Sequence, residues 1–126
     1  MNTQATPSSD SDVLDHEQIA MLWSLDDGAG EVLGEIVAEF LLQSAVDRGQ
    51  LLEALRVGDA DAQVRRAHTL KGASANVGAR RLAKVCDEIE QAARSSRLDP
   101  ACGLVDEFEA EFTRAHDRLR QLDRDS

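Results

Sequence analysis

The chain has 126 residues, enough for one domain with little room for a second. Its net charge of −10 argues against binding of nucleic acid or an anionic membrane by the chain as a whole. Apolar residues make up 42% of the sequence, aromatic residues only 3%, and strand-type alternation is missing. We therefore expect an all-α fold whose core is packed by aliphatic side chains.

The termini and the cysteines indicate where such a chain would reside. The N-terminus lacks the basic start and apolar stretch of a secretory signal. No run approaches the ~20 apolar residues needed to cross a bilayer. The two cysteines, Cys86 and Cys102, are too few for a disulfide framework. We expect a cytoplasmic protein without a membrane partner.

The first thirty residues divide into a tail and a short helix. Residues 1–12 are polar and rich in Ser and Thr, which predicts a disordered tail. Asp15 and Gln18 have the spacing of a reciprocal capping pair and mark the start of a short first helix. Gly28 and Gly30 end that helix.

A long second helix is predicted to start near Glu31 and to end at Gly58. Its apolar stripe has the three- and four-residue spacing of one helix face: Leu33, Ile36, Val37, Phe40, Ser44, Leu51 and Leu55. Gly49 interrupts it and costs about 1 kcal/mol relative to Ala, so a bend can form there. Asp59 is placed to cap the next helix.

The third helix is predicted over Ala60–Val77 and is closed by Gly78. Its inward stripe is Ala67, Leu70, Ser74 and Val77, with Gln63 near the centre of that face. The link to the fourth helix is very short, so the two must be antiparallel neighbours. The fourth helix is lined by Leu82, Val85, Cys86, Ile89 and Ala93. Cys86 is thus expected to be a small buried hydrophobe.

The last helix is predicted to start with Asp99 as its cap and Pro100 at the first helical position. Its seam is Val105, Phe108, Phe112, Ala115, Leu119 and Leu122. Together these elements predict an antiparallel up-and-down four-helix bundle over residues 13–124, with a short extra N-terminal helix.

Positive charge is concentrated in one part of this acidic chain. Between residues 62 and 86 there is no Asp or Glu, and six basic residues occur: Arg65, Arg66, Lys71, Arg80, Arg81 and Lys84. Such a basic island suggests a local task that involves negative charge. A solvated face of two neighbouring helices explains the charge equally simply.

Of the three histidines, His68 has the most informative surroundings. We interpret His16 and His116 as polar surface residues, and no H-x-x-x-H pair is present, so we expect no metal site. At about 100° per residue, His68 lies roughly 130° from the centre of the inward stripe, which points it toward solvent. Gly72 lies within about 40° of it and Ala75 one turn further on. These small residues leave the imidazole free for a partner's approach.

Two cations flank this histidine. Lys71 is three residues later, within reach of the same surface, and Arg65 is three residues earlier. A phosphoryl group on an imidazole nitrogen needs access, room and charge compensation, and this arrangement offers all three. From these residues alone, an ordinary solvent-facing histidine beside a chance glycine remains an equally good explanation.

The wider stretch resembles a known family. The run AHTLKGASANVGA at residues 67–79, continued by Leu82, Cys86, Ile89 and Glu90, resembles the signature of bacterial histidine-phosphotransfer (HPt) domains. That signature has a histidine, Lys-Gly, a small or Ser pair, Gly-Ala, then a Cys and an acidic residue on the next helix. Ala73 stands where Ser is common, which puts at most one hydroxyl contact in doubt.

The resemblance implies a phosphorelay role. It implies that His68 is the phosphoryl acceptor and donor, that Lys71 accommodates the phosphate, and that Gly72 lets the partner approach. The implied partners are a hybrid sensor kinase and response-regulator receiver domains, whose aspartate exchanges the group and whose site supplies Mg²⁺. We expect no cofactor intrinsic to this chain.

Further residues are assigned around that role as our own hypotheses. Arg65 would help Lys71 to stabilise the phosphate, and Ala75 would join Gly72 in the close approach. Arg80, Arg81 and Lys84 would steer an acidic receiver.

Several other functions compete with that of a phosphoryl carrier. No G-x-x-x-x-G-K-[ST] loop is present and the chain is too short for a separate ATP-binding domain, so we expect no autokinase activity. The main rival is a helical adaptor that binds a receiver or partner helix without carrying phosphate. The joint presence of His68, Lys71 and Gly72 favours the carrier. A bundle that dimerises through its last helix is a further rival, but we expect a monomer because one core suffices.

Overall fold

The computed structural model describes residues 31–95 and 98–125, together with Leu14, Glu17 and Ala20. The long segments form four helices: α1 (Glu31–Val57), α2 (Ala60–Asn76), α3 (Arg80–Arg94) and α4 (Leu98–Asp125). No strand occurs in this part of the chain. The predicted all-α fold is confirmed.

The helices pack as an antiparallel bundle. The links between successive helices are two or three residues long. α1 and α3 each contact both α2 and α4, so α2 and α4 lie diagonally opposite each other. Side-chain pairs show that α2 and α3 run in opposite directions, because His68 meets Glu90 and Lys71, further along α2, meets the earlier Asp87. The up-and-down four-helix arrangement follows from these short links, as the sequence predicts.

Local sequence signals set the helix ends around α2. The Asp59 carboxylate accepts a hydrogen bond from the Ala62 amide at 3.1 Å, so Asp59 is the predicted N-cap. Gly58 and Gly78 have φ values of 75° and 81°, a left-handed conformation that favours glycine after a helix. α2 ends at Asn76 with Val77 as its C-cap, one residue before the predicted end.

The start of α4 differs from the prediction. α4 begins at Leu98, so Asp99, predicted as the N-cap, lies within the helix. The reason is that proline is tolerated throughout the first turn, where its missing N–H would have no intrahelical partner. Pro100 therefore marks the first turn of the helix without fixing its first residue.

The core runs through the centre of the bundle. All four helices contribute fully buried side chains, and the largest apolar ones are Phe108, Leu51, Leu70, Leu82, Ile89, Leu119, Val37, Val77, Val85 and Cys86. These are members of the predicted stripes. Buried polar residues at Ser44, Gln63 and Ser74 also follow the predicted faces. α1 continues through Gly49 without a break.

The N-terminal predictions fall largely on residues outside the described ones. Of the predicted short helix, Glu17 and Ala20 are helical and exposed, and Leu14 is buried against the core. The tail at residues 1–12 and the domain bounds 13–124 stay predictions. Within the described helices, none combines the length and apolar character needed to span a membrane.

Candidate functional site

His68 stands on the exposed face of α2, opposite one acidic residue of α3. Its side chain is 63% exposed, which confirms the predicted orientation toward solvent. Its Nδ1 lies 3.2 Å from Glu90 Oε2 and 3.3 Å from Glu90 Oε1. Both contacts use Nδ1, so Nε2 is left without a hydrogen-bond partner among the described residues.

Glu90 is the buried centre of a charged network. Its side chain is only 3% exposed, yet Lys71 Nζ lies 2.9 Å from Oε1 and Arg94 Nη2 lies 2.7 Å from Oε2. Burial raises the pKa of this carboxyl, but hydrogen bonds from Lys71, Arg94 and His68 outweigh it and lower the pKa to about 2. Glu90 is therefore an ionised carboxylate at neutral pH.

This charge state fixes the proton on His68. An ionised carboxylate can only accept hydrogen bonds, so Nδ1 of the imidazole must donate. In the neutral ring the lone pair then resides on Nε2, the nitrogen on the exposed side. The network thus orients an imidazole whose free nitrogen is nucleophilic and accessible to another molecule.

Lys71 is held beside the imidazole by two carboxylates. Besides Glu90, its Nζ lies 3.1 Å from Asp87 Oδ1, and its side chain is 30% exposed. Hydrogen bonds from Lys71 to Glu90 and Asp87 raise the pKa of the ammonium group. Because Lys71 and His68 both contact Glu90, the ammonium group of Lys71 lies next to the imidazole. This is the placement that their three-residue spacing predicts.

Gly72 and Ala75 are both exposed on the same helix as His68. A Cβ added to Gly72 would meet no atom within 4 Å. The chain's own packing therefore does not require glycine at this position.

The structure separates the remaining predicted basic residues. Arg65, Arg80 and Lys84 are exposed and have no ion-pair partner within the described residues. Arg65 lines a cleft next to Arg94, one turn before His68. Arg81 is less accessible, and its Nη2 lies 2.7 Å from Oε2 of Glu111, a buried residue of α4. Arg81 is thus held on the side of the bundle formed by α4 by a carboxylate that it shares with Arg114.

Sequence reasoning missed the network around Glu90. Glu90 entered only as part of the family resemblance, and Asp87 and Arg94 were not singled out. A signal was available, because Glu90 follows Ile89 and lies four residues after Cys86, both on the buried stripe. A carboxylate at the edge of a buried face needs cationic or hydrogen-bonding partners, and the basic island on the preceding antiparallel helix supplies one.

The prediction for His116 is wrong. We expected a polar surface residue, but His116 is 4% exposed. Its Nε2 lies 2.8 Å from Ser44 Oγ, and its ring stacks on Phe112 with centroids 4.0 Å apart. The acidic and basic neighbours in the sequence concealed the position of His116 four residues after Phe112, at the edge of the buried seam. Burial, aided by the positive charge of Arg120, lowers the pKa of His116 to about 4.

Cys86 is fully buried, as predicted. Burial raises the pKa of its thiol to about 12, so the thiol is inert at neutral pH. Among the described residues, no group of three or more His, Cys, Asp or Glu side chains is placed to hold a metal ion.

A four-helix bundle with an exposed histidine on one helix is the arrangement of a helical phosphotransfer module, and a family comparison identifies the chain as one. The model of the Hpt domain matches residues 35–122, well over half of the chain. The chain belongs to the Hpt domain family, the phosphotransfer proteins of two-component signalling. Proteins of this family generally partner with kinases and response regulators. A search of curated proteins gives no match.

Solved structures show the same fold. Histidine-containing phosphotransfer protein B (HptB) from Pseudomonas aeruginosa PAO1 is 32% identical, with a TM-score of 0.83 over 90% of this chain and 96% of that one. The histidine-containing phosphotransfer protein MtHPt2 from Medicago truncatula is 25% identical, with a TM-score of 0.79 over 90% and 78% of the two chains. The maize protein ZmHP2 is 24% identical, with a TM-score of 0.74 over 90% and 88%.

Proposed function

We propose that His68 accepts a phosphoryl group on Nε2, carries it as phosphohistidine, and exchanges it with the aspartate of a response-regulator receiver domain. One observation carries this proposal: an imidazole that is 63% exposed directs Nδ1 at a carboxylate that is 3% exposed. This geometry orients the ring and leaves Nε2 free. Family membership supports the same role.

The transfer step needs no proton acceptor from this chain. The Nε2 lone pair forms the N–P bond while the P–O bond to the receiver's aspartate breaks, and that electron pair stays on the aspartate oxygen. Nδ1 keeps its proton throughout and donates it in the hydrogen bond to Glu90, and the positive charge that develops on the ring faces the carboxylate. The reverse reaction follows the same path. We expect Mg²⁺ to come from the receiver's site.

The small residues beside His68 support close approach by a receiver. Glycine inside a helix lowers stability by about 1 kcal/mol relative to Ala, and packing does not require it at residue 72. An open surface at Gly72 and Ala75 would let the aspartyl phosphate reach Nε2 in line, which phosphoryl transfer requires.

Cationic side chains would serve two purposes in the complex. Lys71 would stabilise the phosphoryl oxygens, with Arg65 adding positive potential from the preceding turn. Arg80 and Lys84, whose charges are uncompensated within the described residues, would steer an acidic receiver. Arg81 would contribute less to steering than these two, because it is less exposed and already paired with Glu111.

A transfer assay tests the carrier role. The full chain is mixed with Mg²⁺ and the phosphorylated receiver domain of a hybrid sensor kinase from the same organism, with His68→Gln as the matched variant. We expect an acid-labile, base-stable label on the wild type and complete loss of label in the variant. Phosphorus NMR should place the group on Nε2.

The adaptor alternative predicts a different result. If the folded wild type binds receivers but takes up no label from any of them, the carrier role is wrong and the adaptor is favoured. Label that persists in His68→Gln would instead move the site to another residue.

A further inference from the structure

We propose that Asp87 weakens the hold of His68 on its phosphoryl group by competing with the phosphoryl oxygens for Lys71. This inference rests on the proposed function and concerns how readily the carrier releases its cargo. Asp87 would act only through Lys71, so it is a tuning residue and not a catalytic one.

The contacts of Lys71 show which partner can be exchanged. Its ammonium group has three N–H donors, and Glu90 at 2.9 Å and Asp87 at 3.1 Å engage two of them. Glu90 is buried and is also bound by His68 and Arg94, so it is fixed in place. Asp87 is 46% exposed, and its only other hydrogen bond in the described structure is a long one of 3.5 Å from Gln91. Water can therefore replace Lys71 as the partner of Asp87.

Phosphorylation would upset the charge balance around Lys71. Before phosphorylation, the two carboxylates of Glu90 and Asp87 are balanced by the two cations of Lys71 and Arg94. A phosphoryl group adds about 1.5 to 2 negative charges. Within the four side chains of this cluster the added charge is uncompensated, and Arg65 can add only positive potential from the preceding turn. The phosphoryl oxygens must therefore share or take Lys71, and Asp87 opposes that by binding the same ammonium group and by adding a like charge.

This competition shifts the equilibrium of phosphoryl transfer between His68 and the receiver's aspartate. When Lys71 contacts the phosphoryl group, its contact with Asp87 is weakened or lost. That loss offsets part of the free energy that the new contact contributes. Phosphohistidine is thereby less stabilised relative to the receiver's aspartyl phosphate. Asp87 would thus keep the carrier ready to pass its group on.

The test compares Asp87→Asn with Asp106→Asn. Both variants remove one acidic charge, from the half-buried Asp87 and from the exposed Asp106, but Asp106 lies on α4, the helix diagonally opposite α2. Each full-length protein is phosphorylated with phosphoramidate, which loses ammonia as the N–P bond to His68 forms, and is then equilibrated with a receiver domain and Mg²⁺. We expect Asp87→Asn to shift the equilibrium constant toward phosphohistidine by about twofold to fivefold, the range for an exposed charge pair. Asp106→Asn should match the wild type.

A second pair of variants isolates the role of Lys71. In a Lys71→Met background the shift caused by Asp87→Asn should disappear. A shift of full size there would mean direct repulsion of the phosphoryl group and would overturn the competition. The competition would also be overturned if Asp87→Asn alone left the equilibrium constant unchanged or shifted it away from phosphohistidine. A shift away from phosphohistidine would mean that Asp87 positions Lys71 for the phosphate. If the wild type passes no group between His68 and any receiver, the proposed function itself fails.

Discussion

Two histidines in this bundle have similar contacts and opposite environments. His68 belongs to α2 and faces α3, and His116 belongs to α4 and faces α1. Each meets one polar side chain of the helix that it faces. At the first site the imidazole is exposed and its partner is buried, while at the second both ring and partner are buried. Accessibility and the charge of the partner separate the histidine that we propose as the phosphoryl acceptor from the buried one.

The partners explain the chemical difference. Glu90 is an anion that can only accept a hydrogen bond, so it assigns the proton of His68 to Nδ1. Ser44 is a neutral hydroxyl that can donate or accept, so it imposes no charge on His116. Aromatic packing against Phe112 and Phe40 then makes His116 part of the core. His116 is therefore packed into the core, whereas the ring of His68 is accessible to another molecule.

The largest effect on phosphoryl transfer is expected when the Glu90 carboxylate beside His68 is removed. Glu90→Ala should slow transfer between His68 and a receiver by about 10-fold to 100-fold, because the ring loses its orientation and its fixed proton. Glu90→Gln should have a smaller effect, since the amide oxygen can still accept the Nδ1 proton. Rapid-quench measurement of the transfer rate checks both variants.

Glu111→Ala is the matched control for this prediction. Glu111 is also buried and paired with two arginines, Arg81 and Arg114, but with no histidine. We expect the control to lower the free energy of unfolding without slowing transfer, because it frees Arg81 but leaves every contact of His68 in place. Equal slowing by Glu90→Ala and Glu111→Ala would show that general destabilisation, and not the contact with His68, limits transfer.

A smaller effect, on stability, is expected at the structural histidine. The folded pKa of His116 is about 4, below its ordinary value of 6.5. Between these values the unfolded chain binds a proton at His116 and the folded chain does not, so acidification favours unfolding. The free energy of unfolding should fall on the order of 3 kcal/mol from this group as the pH drops from 6.5 to 4.

Urea unfolding at pH 7, 5.5 and 4 measures this loss. The variant His116→Gln should be less stable than the wild type at pH 7 and should lose less stability on acidification. Parallel pH profiles for the two proteins would contradict the assignment of the loss to His116. Label uptake by the folded variant should persist, which separates this site from His68.

The smallest expected effect distinguishes the two regions through a matched pair of glycines. Gly72 on α2 and Gly49 on α1 are both exposed within helices, and an added Cβ meets no atom within 4 Å at either. Each Gly→Ala variant should raise the free energy of unfolding by about 0.5–1 kcal/mol in thermal or urea unfolding. Only Gly72→Ala should also slow phosphoryl transfer. If transfer is equally fast in both variants, close approach at Gly72 is not needed.

Features that depend on one helix at a time were predicted correctly. The buried faces of α1 and α2, the cap at Asp59 and the solvent-facing position of His68 all follow from spacing along a single helix. The boundary at Asp99 was wrong by a residue or two because Pro100 is compatible with any position of the first turn. The family resemblance around His68 was confirmed by the Hpt domain match.

Features that join two helices were not predictable in the same way. The pairing of Arg81 with Glu111 spans 30 positions, and that of Ser44 with His116 spans 72. Nothing in the local pattern selects these partners, because many exposed or half-buried residues carry suitable groups. The network of Glu90 with Lys71, Arg94 and His68 likewise depends on how α2 and α3 are aligned.

The amino-acid order alone was sufficient for the four helices, their inward faces and an accessible His68 flanked by Lys71 and Gly72. These are consequences of helix periodicity and of short links, which act over a few residues. Only the packed bundle decided that Glu90 fixes the proton of His68, that Asp87 shares Lys71, and that His116 pairs with Ser44 of α1. Those outcomes depend on the relative alignment of neighbouring helices, which is set by side-chain packing across the whole core.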